Sequence, residues 1–117
     1  GYRQFSKVIA HVEQHYRTPL EVSELARIAC LSESQFRKRF VKLFRISPSK
    51  FINRIRVQTA AKLLLSGDAP IAEIALQCGF CDQSYFTRQF SNFFGLTPKR
   101  YRDRLGKRGS PGWVDGE

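Results

Sequence analysis

The chain has 117 residues, of which 42% are hydrophobic, so it can build one compact domain or two very small subdomains, each with a modest core. Lys and Arg number 20 against 10 Asp and Glu, a net charge of +10, and that balance predicts an anionic partner: nucleic acid first, an anionic membrane second. No run is long enough for a transmembrane helix, no signal-peptide pattern opens the chain, and three cysteines at no framework spacing suit a reducing cytosol and not a secreted disulfide scaffold.

The elements follow in chain order. Phe5, Val8, Ile9, Val12 and Tyr16 keep helical spacing, which predicts a first helix over Gln4–Tyr16, broken by Thr18-Pro19. Ser23 is expected to cap a short second helix through Cys30, with Leu25, Ala26 and Ala29 inward. Ser32-x-x-Gln35 reads as a capping box and starts a third helix with an apolar ridge of Phe36, Phe40, Leu43 and Phe44. Ser47-Pro48 ends that helix and opens a fourth, from Pro48 to about Leu65, with Pro in its first turn. Its buried side is expected to be Phe51, Ile52, Ile55, Ala60, Leu63 and Leu64, and Ser66-Gly67-Asp68 stops it. Pro70 opens a short fifth helix to Cys78, and Gly79 stands where a left-handed residue is wanted. Asp82 caps a sixth helix with Phe86, Phe90, Phe93 and Phe94 inward. Thr97-Pro98 starts a last helix to about Arg104. No segment shows strand alternation. Beyond it, 105–117 is Gly-rich and polar apart from Trp113 and Val114, and reads as a disordered tail, with Trp113 mobile in preference to a small docking anchor. The chain has no Met and starts at Gly1; it is expected to be a piece of a longer protein with a further domain N-terminal to it.

A repeat organises these elements. Phe36, Phe40, Phe44 and Pro48 recur fifty places later as Phe86, Phe90, Phe94 and Pro98, and Phe51 recurs as Tyr101. Upstream of the turn the offset shortens by one, so that Leu25, Ala26 and Leu31 match Ile74, Ala75 and Phe80. The second copy therefore has one extra turn residue. The predicted fold is all-α: seven helices within 1–104, with two helix-turn-helix units (about 20–47 and 70–96) joined by a long central helix (about 48–66).

The charge is one-signed where the repeat predicts exposed helix. No acid occurs from Ser34 to Gly67, a stretch carrying Arg37, Lys38, Arg39, Lys42, Arg45, Lys50, Arg54, Arg56 and Lys62. In the second copy Arg88, Lys99, Arg100, Arg102 and Arg104 accompany a single acid, Asp103, between Gln83 and Arg108. Such a surface repels itself unless an anion lies against it. With the Phe ridge inward, Ser34, Arg37, Lys38, Val41, Lys42 and Arg45 face outward, as do Gln83, Ser84, Thr87, Arg88 and Ser91. Arg can clamp guanine and Gln can bridge adenine in the major groove, while Ser and Thr let the helix sit close. Lys42, Arg45, Lys50, Lys99 and Arg100 lie where phosphates would run and give affinity without sequence information. Arg56 falls near the buried side of its helix and is expected to be structural, paired with an acid such as Glu24 or Glu73. A central helix of about 18 residues spans roughly 27 Å, against roughly 34 Å between major-groove segments on one face of DNA. Two unlike readers predict a non-palindromic site, and a shortfall in spacing predicts bent DNA.

Ile71-Ala-Glu-Ile-Ala, then Gly79-Phe80-Cys-Asp-Gln-Ser-Tyr-Phe86-x-Arg88-x-Phe90, then Phe94-Gly95-x-Thr97-Pro98-x-x-Tyr101-Arg102 form a long and specific pattern. It resembles the AraC/XylS family of bacterial transcription regulators, and the resemblance extends over nearly all of Phe5–Arg104. The first repeat matches more loosely, and Cys81 stands where the family commonly has Ser. The resemblance implies the C-terminal DNA-binding domain of such a regulator, working in the bacterial cytoplasm at the nucleoid. It implies base contacts from Ser34, Arg37 and Lys38 and from Gln83, Ser84, Thr87 and Arg88. It also implies RNA polymerase as a partner of an activator, and an N-terminal effector-sensing or dimerisation domain. Neither a cofactor, a metal, a membrane nor an enzymatic role belongs to this reading.

Single features of the chain admit other chemistry. A nonspecific basic module binding RNA or anionic surfaces would want exposed aromatic platforms, and the Phe ridges predict the reverse. Cys78-x-x-Cys81 could suggest redox or zinc chemistry, but Cys78 aligns with Ala29 as a small buried residue, and a structural zinc site wants four ligands. His11-x-x-x-His15 shares a helix face without the order of a metalloprotease motif, and reads as a surface flank. An enzyme domain such as a thiol alkyl acceptor would need one hyper-reactive cysteine.

Overall fold

The computed structural model describes residues 2–106. Among them are seven α-helices and no strand: α1 (Tyr2–His15), α2 (Val22–Ile28), α3 (Glu33–Phe44), α4 (Pro48–Ser66), α5 (Ile71–Gln77), α6 (Gln83–Phe94) and α7 (Pro98–Leu105). This is the all-α, seven-helix architecture that the periodicity predicts. The tail reading for 107–117, and with it the role of Trp113, lies outside the described residues.

The chain divides into two compact units, Gly1–Ile55 and Arg56–Glu117, and each has its own core. In the first, Phe5, Val8 and Val12 of α1 meet Leu25, Ala26 and Ala29, then Phe36 and Phe40 of α3 and Ile52 of α4. In the second, Val57, Ala60, Ala61 and Leu64 of α4 pack with Ile74, Ala75, Cys78 and Phe80 and with Phe86 and Phe90 of α6. Helix α4 thus gives its first turns to one core and the rest to the other. Its buried side includes Asn53, Val57 and Ala61, which the ridge reading omitted, while Phe51, Ile55 and Leu63 are only half-buried.

The repeat recurs in the packing. Phe40 meets Phe51 edge-on at 5.4 Å and 76°, and fifty places later Phe90 meets Tyr101 at 5.2 Å and 76°. The Phe36–Phe40 and Phe86–Phe90 centroids are 5.6 and 5.7 Å apart, and Phe40–Phe44 and Phe90–Phe94 are 4.5 and 4.6 Å apart. Such offset and edge contacts suit the quadrupoles of the rings. Each copy adds rings of its own: in the first, Phe5 of α1 stacks on Phe36 at 5.7 Å, and in the second Phe80 lies 5.1 Å from Phe86.

Helix starts are largely those expected. Ser32 Oγ accepts from the Gln35 amide at 3.2 Å, an Asp82 carboxylate oxygen from the Tyr85 amide at 2.8 Å, and Thr97 Oγ1 from the Arg100 amide at 3.2 Å. Each satisfies an amide that has no partner within its own helix. Two expectations are corrected. Ser23 does not cap α2: the cap lies two residues earlier, with extended Glu21 at that position, the helix starting at Val22 and the Glu21 carbonyl accepting from the Glu24 and Leu25 amides. Leu43 does not belong to the buried ridge: it is 40% exposed, because the core-facing stripe runs through Phe36, Phe40 and Phe44 at spacings of four.

The ends of α2 and α5 show the same backbone trick in different residues. The Leu31 amide reaches back to the Ala26 carbonyl and Cys30 to Arg27, as Phe80 reaches Ala75 and Gly79 reaches Leu76. This paired closure places its pivot residue in the left-handed region, where Gly79 has φ 99° and Cys30 has φ 61°. At the end of α3 and α6 the pair is Arg45 (φ 67°) and Gly95 (φ 75°). The second copy uses glycine at both positions, whereas the first holds a Cβ at each against its steric preference. Cys30→Gly is therefore expected to raise stability by about 0.5–1 kcal/mol, the strain relief less the entropy of glycine, and Gly79→Ala to lower it by about 1–2 kcal/mol. Urea midpoints at unchanged slope would measure both; a Cys30→Gly protein less stable than the parent would show that the thiol makes a contact worth more than the strain.

Candidate nucleic-acid interface

In the first unit Phe36 and Phe40 have 0% and 1% of their surface exposed, and the helix face opposite them carries the charge. Ser34, Arg37 and Lys38 are all exposed on α3, as are Lys42 near its end, Arg45 at its left-handed cap and Lys50 in the first turn of α4. The Lys50 amide is held by Ser47 Oγ at 3.2 Å. One partner was missed from sequence: Glu33, in the first turn of α3, lies 3.4 Å from the Arg37 guanidinium. The i,i+4 spacing was there to be read, but Glu33 falls just outside the acid-free stretch.

In the second unit Phe86 and Phe90 are both fully buried. Gln83, Ser84 and Arg88 are exposed on the opposite face of α6, and Thr87 is half-buried between the two faces. Lys99 and Arg100 are exposed in the first turn of α7. Arg102, by contrast, is no surface holder: its Nε donates to the Leu64 carbonyl at 3.1 Å, closing the C-terminal end of α4. Tyr85, which the ridge reading passed over, is 38% exposed; its ring lies under the Arg88 guanidinium, 5.6 Å from the centroid.

Arg56 is half-buried, as its place on α4 predicts. Its guanidinium lies 5.9 Å from the centroid of Phe80. Burial pushes its pKa below the usual arginine range, and the nearby Tyr85 and Cys81 pull it back up. Of the acids expected to pair with it, Glu73 accepts from Gln77 at 3.3 Å and Glu24 lies 3.4 Å from His11.

The other chemistry-bearing residues do not converge. Cys78 is buried in the core, Cys81 is exposed, and Cys30, Cys78 and Cys81 are all free thiols. The His11 and His15 rings are 4.5 Å apart, but among the described residues no three His, Cys, Asp or Glu side chains gather as a metal site would need. Among the same residues no helix is long and apolar enough to cross a membrane.

What the geometry offers is two short helices, each buried on an aromatic face and basic or amide-bearing on the other. A helix-turn-helix domain model matches residues 25–104. The DNA-binding domain of AdpA, solved in complex with a target DNA, superposes with a TM-score of 0.78 at 30% identity, over 85% of this chain and 91% of that one. The chain belongs to the AraC family of transcription regulators. An AraC-type DNA-binding domain from Chromobacterium violaceum gives a TM-score of 0.80 at 25% identity, covering 92% of this chain and 96% of that one. Among relatives, the probable transcriptional regulator LumQ of Photobacterium leiognathi is 34% identical over 79% of this chain, and the regulator ExsA of Pseudomonas aeruginosa 33% over 86%. The virulence regulon transcriptional activator VirF of Yersinia enterocolitica is 33% identical over 87%. The chain spans 37%, 36% and 38% of the length of these three. It is thus a DNA-binding helix-turn-helix domain of a family of regulators, not of enzymes.

Within this AraC-type domain the Glu33 carboxylate does two opposed things. It favours the N-terminal end of α3 through the helix dipole, and it presents a negative charge beside Arg37 on an otherwise basic exposed face. Glu33→Gln is expected to lower folding stability by about 0.3–1 kcal/mol while tightening DNA binding roughly two- to fivefold, more so at low salt. Denaturation and filter binding on the same protein test both signs; weaker DNA binding by the variant would mean that Glu33 aligns Arg37 and does not compete for it.

Proposed function

We propose that this domain recognises a specific, non-palindromic duplex DNA sequence, with α3 and α6 entering adjacent major-groove segments. The helix-turn-helix units about 20–47 and 70–96 are the two readers. Ser34, Arg37 and Lys38 read bases from α3, and Gln83, Ser84, Thr87 and Arg88 from α6. Lys42, Arg45, Lys50, Lys99 and Arg100 hold phosphates, helped by the amides at the starts of α4 and α7. The observation that carries this reading is the division of each helix into a fully buried Phe pair and an opposite face of exposed or half-exposed groove-reading side chains. The two outer faces share only the serine of Ser34 and Ser84 and differ at the other reading positions, Arg37 against Thr87 and Lys38 against Arg88, which is why the site is asymmetric. The buried rings leave no row of exposed Phe, against a single-strand binder that stacks bases.

In this reading the protein acts in the bacterial cytoplasm. RNA polymerase is a partner, in keeping with relatives that are transcription regulators and include a named activator. An effector-sensing or dimerising domain N-terminal to this one accords with relatives more than twice the length of the matched region.

Selection of random duplex DNA at about 0.15 M salt, where the nonspecific component is weakened, is expected to return an asymmetric motif in two blocks. A single block would assign base reading to one helix, and no enrichment would leave a nonspecific basic module. On the selected duplex, Arg37→Ala and Arg88→Ala should each cost about 1–3 kcal/mol and relax preference at one block. Lys42→Ala and Lys50→Ala should weaken all sequences alike and reduce the salt slope by about one. Identical behaviour of the two classes would overturn the sorting into readers and holders.

A further inference from the structure

Two cation–ring contacts share one aromatic pair at the entrance to α6. The Phe80 and Tyr85 rings are 5.9 Å apart. Arg56, from α4, lies over Phe80 at 5.9 Å, and Arg88 lies over Tyr85 at 5.6 Å. Phe80 is 3% exposed and belongs to the core, whereas Tyr85 is 38% exposed and stands at its edge. The Tyr85 amide is in turn tied to the Asp82 cap at 2.8 Å. Tyr85 is therefore fixed by its backbone and by a buried neighbour, while one ring face remains for Arg88, three residues on along α6.

A guanidinium resting on a ring is held by its flat face. Its N–H groups point outward in the plane, so the fork that would clamp O6 and N7 of a guanine stays available. An arginine paired with a carboxylate is different, because the carboxylate takes the N–H edge itself. The two copies of this domain differ in that way. In α3, fifty places earlier, Gln35 and Lys38 stand where Tyr85 and Arg88 stand, so there is no ring, and Arg37 lies instead 3.4 Å from Glu33. Both copies cap and pack alike, so the ring under Arg88 is not a requirement of the fold.

We infer that Tyr85 is a positioning residue for base recognition: its ring is the platform that holds the Arg88 guanidinium in readiness for a guanine edge, and so it sets how sharply the second unit discriminates at that base pair. The inference rests on the reading of Arg88 as a base reader. Holding the side chain before DNA arrives removes part of the ordering entropy of an exposed arginine, and it restricts the directions in which the fork can reach. The platform contributes to preference and not to overall grip.

The test uses the 117-residue chain and the duplex selected by it, together with the three duplexes that change the base pair at which Arg88→Ala loses preference. Tyr85→Leu keeps an apolar neighbour for Phe80 and removes the ring; Tyr85→Phe keeps the ring and removes the hydroxyl. The expected result is a roughly two- to fivefold loss of discrimination at that base pair in Tyr85→Leu, with affinity for an unrelated duplex and the thermal midpoint little changed, and parental discrimination in Tyr85→Phe. A uniform loss on every duplex in Tyr85→Leu would overturn the inference, as would Tyr85→Phe behaving like Tyr85→Leu, which would give the role to the hydroxyl. Preference lost in Arg88→Ala but kept in Tyr85→Leu would end the platform alone. Preference kept in Arg88→Ala would end the reading of Arg88 itself, and the platform with it.

Discussion

Phe36 and Phe40 in one copy, and Phe86 and Phe90 in the other, are removed from solvent altogether, and a helix tied down at two points one turn apart cannot roll. Successive residues on a helix are rotated by about 100°, so a roll of a single position would turn the phenyl rings toward water and carry Arg37 or Arg39 of α3, or Thr87 and Ser91 or Gln89 of α6, toward the core. Truncating one such ring costs about 3–5 kcal/mol, a large share of what a domain of this size has in total. The inner face thus dictates the outer one. Which residues of α3 and α6 face outward is set by what those helices bury.

The helix pairs around the turns are held by equally local means. Helices α2 and α5 are seven residues each, too short to persist without tertiary contacts. They end in the same paired backbone closure, and α3 and α6 begin on a side-chain oxygen two residues after the pivot in one copy and three in the other. The extra residue is Cys81, set between buried Phe80 and the capping Asp82. It is accommodated in the exposed part of the turn, so the aromatic ladder after it keeps the geometry of the first copy to within a few tenths of an ångström at the ring centroids.

Much of this was legible in the chain because it repeats. The ridge of Phe36, Phe40 and Phe44, the caps Ser32, Asp82 and Thr97, and the outward placement of Arg37, Lys38, Gln83, Ser84 and Arg88 all follow from period and capping chemistry. What escaped has physical reasons. Cys30 and Arg45 carry no local signal for a left-handed backbone; only alignment with Gly79 and Gly95 gives it. Leu43 is apolar and adjacent to the ridge, yet a stripe running at every fourth position leaves it half in water. Asn53, Val57 and Ala61 were missed because α4 serves two cores in succession, and a helix with two buried directions shows no single stripe. The contacts Glu33–Arg37 and Tyr85–Arg88 sit at spacings of four and three that a helix makes adjacent, but both spacings are common on any helix, so only the folded structure distinguishes a contact from a coincidence.

Because the residues that hold α3 and α6 in place and the residues they display are different residues, the display can drift while the scaffold stays. Substitutions on an exposed helix face usually move stability by less than about 0.5 kcal/mol, so Ser34, Lys38, Gln83 or Ser84 can be exchanged with little risk to folding. Under the proposed two-reader mode the duplication doubles that latitude, since one unit would keep its grip on an old target while the other explores a new one. Relatives a third identical to this chain and backbones that superpose at TM-scores near 0.8 are what such an evolvable architecture leaves behind.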